Sequence, residues 1–354
     1  MTTLLGPQQK PPLRQGRRAT MRDVAAFAGV GLKTVSRVFN NEPGVSDALV
    51  TRVRQAAQAL HFHPDAIAGS LRRSDRRSLS IGLLLASVAN PFCAAVHRAI
   101  EDVAEARGVA VFSASIDENP SRERSLVAAF TSRRVDALIL TPAATDQGYL
   151  RPEQVSGTPV VLVDRPSVGI DVDSVVVDNF TGALQATAHL IAHGHREVAY
   201  LGDLTRIATA RQRHEGYLQA IGSAGIPIAT ARAIDDLHSE KAAEAAVREL
   251  LSGADRPTAL FTGQNMVTIG AIRALRGLGL QHEVALVGFD DFELADLLEP
   301  GVTVVAQDPV RMGRLAAERV FARLAGDTSA GKEFIVPTEF IERGSGEIAA
   351  PRAT

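Results

Sequence analysis

Apolar side chains follow two rhythms along the 354 residues: helical spacing up to about Leu60, then short unbroken runs from Leu79 onward. Thr20 and Asp23 form a TxxD variant of the capping box, and Val24, Ala25 and Ala28 follow at helical spacing. This predicts a helix from about Met21 to Ala28, with Gly29 as the turn. A second pattern starts near Leu32, with Val35 and Val38 facing inward and Lys33, Thr34, Ser36 and Arg37 outward. Ser46 caps a third, whose apolar stripe is Val50, Val53, Ala57 and Leu60.

Two short helices meeting at a glycine turn, the second exposing polar and basic groups, match a helix-turn-helix, which lays its second helix in a DNA major groove. A plain solvated face is the alternative for Lys33, Thr34 and Arg37. The segment HPDAIAGSLRR, starting at His63, predicts a helix too short to stand alone in water. It forms when docked on DNA with Leu71 wedged into the minor groove, or else serves as an interdomain linker.

From Leu79 the runs LSIGLLL, VAVFSA, DALIL, PVVLVD, SVVVD, EVAYLG, TALF and EVALVGF alternate with amphipathic stretches. Such alternation predicts parallel sheets covered by helices, and the length calls for two α/β lobes. Ligands in such folds sit beyond the carboxyl ends of the strands. The candidates there are Asn90, Pro91 and Phe92, Asp164 and Arg165, Asp178, Asp290 and Asp291, with Arg211 and Arg213 on a following helix. Carboxylates and arginines together suit a polar ligand that is rich in hydroxyls or carries an anionic group.

Charge sharpens the division. Residues 1–79 hold 13 Lys+Arg against 5 Asp+Glu, whereas the whole chain has a net charge of −2, so a basic head precedes an acidic body. The body's net charge is −10. Residues 1–19 read as a disordered basic extension. No run reaches the roughly 20 apolar residues of a membrane span and no secretory signal opens the chain, so a cytoplasmic protein is expected. The single cysteine, Cys93, excludes an intramolecular disulfide and reads as a small buried hydrophobe. No metal-ligand spacing, phosphate loop or nucleophile elbow occurs, so no cofactor, metal site or catalytic residue is assigned.

In order, the motifs RDVAAFAGV, KTVSRVFN, VSDALVTRVRQAAQALHFHPDAIAGSLRR, ANPF, RRVDALIL, LVDRP, GHREVAYLG, RQRHEGY and LVGFDDF give a chain that resembles the LacI/GalR family of bacterial transcriptional regulators from Thr20 to about Arg343. The resemblance implies a helix-turn-helix domain (20–63), a hinge helix and linker (64–78) and a periplasmic-binding-protein-like core (79–343). The core's N-lobe would take 79–177 and 309–336, its C-lobe 178–305 and 337–343, with a flexible tail at 344–354. It further implies a homodimeric repressor on a pseudo-palindromic double-stranded operator, controlled by a small effector, most often a sugar. Thr20, Leu32, Lys33, Thr34, Ser36, Arg37, Asn40, Ala66 and Leu71 then fall at DNA-contacting positions. Asn90, Phe92, Asp164, Arg213, Leu237, Gln264 and Asp290 fall at effector positions. A binding protein without regulatory role is the alternative; it predicts an export signal and no basic head.

Two glycines depart from the family pattern. Gly31 stands where a serine usually caps the recognition helix, and Gly69 replaces an arginine within the hinge helix. Gln264 and Asn265 stand where Asn-Asp is common, and the chain has no Trp to stack on a sugar. The helix starting near Pro91, with Val96, Ile100 and Val103, is a candidate dimer face or ordinary sheet packing. The tail lacks leucine heptads, so a dimer without a tail-mediated tetramer is expected.

Overall fold

The computed structural model describes residues 17–40, 42–62, 77–253 and 255–352. It separates into a unit up to Ser78 and a unit from Leu79 onward.

In the first unit, α1 (Met21–Ala28) starts at a complete capping box: Asp23 N–H donates to Thr20 Oγ1, and Thr20 N–H donates to the Asp23 carboxylate at 2.7 Å. It stops at Gly29, whose φ of +60° suits a residue without Cβ. The second helix, α2 (Leu32–Phe39), has Gly31 as its N-cap and therefore no side-chain cap bond. Helix α3 (Asp47–Ala59) completes the unit. Val24, Val35 and Val53, one from each helix, are fully buried at its centre, and Phe39 meets Phe62 edge-on at 5.4 Å. The core is small, as expected for about forty residues. The predicted hinge helix, with Ala66, Gly69 and Leu71, and the first sixteen residues lie outside the described residues.

The second unit contains two six-stranded sheets. Its elements run β1 (Ser80–Leu85), α4 (Pro91–Glu105), β2 (Ala110–Ser115), α5 (Pro120–Ser132), β3 (Ala137–Leu140), α6 (Arg151–Val155), β4 (Val160–Val163) and β5 (Asp173–Val177). Then come α7 (Asn179–Ala192), β6 (Val198–Leu201), α8 (Ala208–Ser223), β7 (Arg232–Ile234), α9 (Glu240–Ser252), β8 (Ala259–Thr262), α10 (Asn265–Leu278), β9 (Ala285–Phe289) and β10 (Thr303–Ala306). The chain closes with α11 (Pro309–Leu324), β11 (Glu333–Val336) and β12 (Glu339–Ile341).

The N-lobe sheet has the order β11-β5-β4-β3-β1-β2, and the C-lobe sheet β12-β10-β9-β8-β6-β7. All pairings are parallel except β10 with β12. Strands buried on both faces explain the unbroken apolar runs, for example Ile81, Leu83 and Leu84, all fully buried. The chain passes between lobes after β5, after β10 and after β11. Val96 and Ile100 of α4 are buried in the N-lobe core with Met312 and Ala316 of α11, so they pack within the lobe and present nothing to a second chain.

The expected flexible tail is corrected. Ser345 N–H donates to the Gly301 carbonyl, its carbonyl accepts from Leu286 N–H, and its buried hydroxyl donates to Leu286 O at 2.6 Å. Glu347 pairs with His189 at 2.7 Å, the Ile348 carbonyl accepts from His195 Nε2, and Ala350 N–H donates to His193 O. Small and polar residues suggest solvent, but here they satisfy backbone groups left open at the ends of β9 and β10.

Candidate functional site

The carboxyl ends of both sheets face a cavity of about 370 Å³ between the lobes. Asn90, Phe92, Asp164, Arg213, Gln264 and Asp290 all line it. Leu237 does not: it is buried in the C-lobe core beside Ala243 and Val247, and the next residue, His238, reaches the cavity instead. The loop after β7 turns through Asp236 at φ +61°, and such a turn has no side-chain period from which the facing residue can be read.

Two aspartates occupy equivalent places in the two lobes. Asp164 follows β4 at φ +72°, and Asp290 follows β9 at φ +73°. The N–H of Asp164 bonds to Val175 O of β5 at 2.8 Å, and that of Asp290 to Val305 O of β10 at 2.9 Å. Left-handed backbone at these points turns both carboxyls into the cavity, a conformation Asp tolerates better than most residues. Asp290 accepts from Gln307 Nε2 at 2.5 Å. Asp164 accepts no hydrogen bond from the described residues, and burial pushes its pKa up to about 6 against the pull of Arg165 and Arg213.

Arg213 lies on α8, which packs against α7 so closely that a Cβ on Gly216 would stand 2.4 Å from Phe180 O. That approach carries the guanidinium under the cavity floor. Its Nε donates to Asn179 Oδ1 at 2.8 Å, its Nη1 donates to Gly263 O at 2.7 Å, and its plane lies 3.7 Å over the Phe289 ring. Asp290 is 4.0 Å away. Nη2 makes no hydrogen bond with the described residues and remains available to a ligand.

Other lining residues lie outside the effector positions that the resemblance implied. Glu118 and Arg165, both buried, form a two-bond pair at 2.8 and 2.6 Å. Asp203 holds His238 Nδ1 at 2.7 Å, a bond that raises the imidazole pKa above its ordinary value. Gln307 follows β10. Each lies just beyond a strand or in the loop that follows one, so the strand-end rule that selected Asp164 and Arg165 extends to the others. Cys93 is buried at the cavity wall, and its thiol is pushed up to about 11 by that burial. Asp178 instead caps α7, Asp291 pairs with Arg343 at 2.7 Å, and exposed Arg211 donates to the Thr205 and Arg206 carbonyls.

Contacts also span the lobes. Asn90 caps α4 through its Oδ1 and bonds with Asn265, the first residue of α10, in both directions at 3.1 Å. Arg206 donates across to Glu118 O at 3.0 Å.

On α2, Leu32 and Lys33 are exposed, while Thr34 and Ser36 are half-buried at its edge. Arg37 donates to Pro43 O and stands 3.5 Å from the Glu42 carboxylate. Asn40 Nδ2 contacts Ser36 Oγ and Glu42 Oε1, each at 3.4 Å. Thr20 is occupied by its capping box.

A three-helix head with a polar second helix, followed in sequence by a two-lobed core with a polar interlobe cleft, defines a DNA-binding regulator with a small-molecule domain. Residues 20–65 match the family described as bacterial regulatory proteins, lacI family, and residues 78–344 match periplasmic binding proteins and sugar binding domain of LacI family. The chain belongs to the LacI family and is a DNA-binding transcriptional repressor with an effector domain. The head rules out the alternative of a binding protein without regulatory role.

Among its relatives, the ribose operon repressor of Escherichia coli (strain K12) is 31% identical over 330 residues, covering 92% of this chain and 99% of the relative. The HTH-type transcriptional repressor PurR of Mannheimia succiniciproducens is 28% identical, with coverage of 92% and 98%. The lac repressor dimer bound to operator and the anti-inducer ONPF superposes with a TM-score of 0.80 at 25% identity, covering 94% of this chain and all of that one. A complex of the transcriptional regulator CelR with cellobiose gives 0.66 at 29% identity, covering 93% and 100%.

Proposed function

We propose that this repressor is a cytoplasmic homodimer whose affinity for a pseudo-palindromic operator is set by a sugar, or a sugar derivative, bound in the interlobe cleft. The observation that carries this reading is the cleft itself, where Asp164, Asp290, Arg213 and Asn90 from both lobes converge around one phenyl ring, Phe92. Hydroxyl groups both donate and accept, and so match a wall of carboxylates, amides and a guanidinium. The ribose operon repressor and the CelR–cellobiose complex point to the same chemistry.

On the DNA side, Lys33 and Leu32 at the start of α2 meet base edges, Arg37 reads guanine once released from Pro43 and Glu42, and Thr34, Ser36, Asn40 and Thr20 position the helix on phosphates. Ala66 and Leu71 act in the minor groove. Effector binding acts by its differential affinity for two arrangements of the lobes. The test is a gel-shift titration of the full chain on its upstream intergenic DNA, with and without candidate sugars. A sequence-selective, salt-sensitive shift that a sugar alters is expected; no sugar-dependent change refutes the effector assignment.

A further inference from the structure

The charges around the cleft narrow the effector further, given the reading above of a sugar-type ligand. Five carboxylates line the cavity: Asp117, Glu118, Asp164, Asp203 and Asp290. The cations near them are already committed. Arg165 spends both terminal nitrogens on Glu118 and one of them also on Pro142 O at 2.7 Å. Arg122 holds Asp117 at 3.0 Å from outside, and Arg206 is engaged by the Glu118 carbonyl. His238 is bonded to Asp203. Arg213 faces Asp290 and has one nitrogen left to offer.

The Asp164 carboxyl is the one left without a hydrogen bond from the described residues: Arg165 Nε stands 3.6 Å from it, beyond bonding distance and on a guanidinium shared with Glu118, and Asp203 is balanced only while His238 is charged. The open positions are thus mostly acceptors, which ask for donors on the ligand. An anionic group would have to displace an existing ion pair or stand among carboxylates with no free guanidinium fork to receive it. We infer that the effector is an uncharged, hydroxyl-rich molecule, a free sugar, and that the cleft rejects sugar phosphates and sugar acids.

The experiment is a thermal-shift and calorimetric panel on the full chain at pH 8 and low salt, with matched probes: ribose and ribose 5-phosphate, glucose and glucose 6-phosphate, galactose and galacturonate, cellobiose, and the bases adenine and hypoxanthine. Stabilisation by at least one free sugar, with its charged counterpart binding at least tenfold more weakly, is the expected result. If a phosphate or acid binds as well as or better than its neutral partner, the charge argument is overturned while the sugar-effector reading stands. If no sugar of either charge binds, or only a base does, the sugar-effector reading fails and this inference with it.

Discussion

Asn90 and Asn265 hold each other across the cleft by two reciprocal amide hydrogen bonds of 3.1 Å, one residue from each lobe and each at the start of a helix. Neutral hydrogen bonds contribute about 0.5–1.5 kcal/mol each, so the pair biases lobe closure by roughly 1–3 kcal/mol. Asn265→Ala removes both bonds and leaves the Asn90 cap on α4 in place. A larger radius of gyration in small-angle scattering and a roughly tenfold loss of effector affinity are expected. An unchanged scattering profile would show that closure rests on other contacts.

Arg213 is buried with two charge-assisted bonds and an aromatic face against it. Arg213→Ala leaves Asn179 and Gly263 without their donor and is expected to cost about 3 kcal/mol, lowering Tm by roughly 5–10 °C. Arg213→Lys keeps the charge without the planar fork, so it recovers part of the stability but not the ligand-induced shift. Equal ligand shifts in Lys variant and parent would remove Arg213 from the binding set.

Asp164 sets a pH dependence of defined sign. Its folded pKa of about 6 lies above the ordinary carboxylate value, so the folded protein binds more protons than the unfolded chain between about pH 4 and 6. Stability from this residue is therefore greatest in acid and is lost as pH rises through 6. Asp164→Asn, which suits the left-handed backbone, should stabilise the core by roughly 2–3 kcal/mol at pH 8 and by almost nothing at pH 4. Melting curves of the two proteins from pH 4 to 8 provide the check; a constant difference across that range would contradict the shifted pKa.

The recognition helix can be strengthened at its start. Gly31 has φ −70° and ψ 150°, and a Cβ there meets nothing within 4 Å. Gly31→Ser supplies the missing cap and is expected to gain a few tenths of a kcal/mol, seen as slower hydrogen exchange in α2. Arg37→Ala should lower operator affinity by about 1–3 kcal/mol with little change in nonspecific binding. Equal losses on specific and random DNA would make Arg37 a phosphate contact.

Where the chain spells out its own boundaries, its structure was legible. Thr20, Asp23 and Gly29 write both ends of α1, and the β-branched runs announce strands buried on two faces. Asp164, Asp290 and Arg213 were legible because each sits within a recognisable motif. Leu237 was misplaced by one residue because an irregular loop has no side-chain period, and Glu118 and His238 went unseen because their partners, Arg165 and Asp203, lie 47 and 35 residues away. The ordered tail was missed for a related reason: Ser345 and Glu347 gain their value from carbonyls and histidines that only the folded C-lobe presents.

Ser345 also gives a truncation test. Ending the chain after Arg343 opens backbone groups of Leu286, Gly301 and Thr303 and removes the Glu347–His189 contact. A Tm lower by about 5–10 °C is expected, and an unchanged Tm would mean the tail only decorates the surface.

The same tail bears on how the protein is made. The N-lobe sheet waits for β11 and the C-lobe sheet for β12 and the residues that follow, so neither lobe closes until the chain has been made past Val336 and, for the C-lobe, to about Ala350. The helix-turn-helix, by contrast, is complete by Phe62. A ribosome that stops early therefore releases a finished DNA reader attached to an unfinished core, and late frameshifts in this gene should act as losses of folded protein, without yielding a repressor that merely ignores its effector.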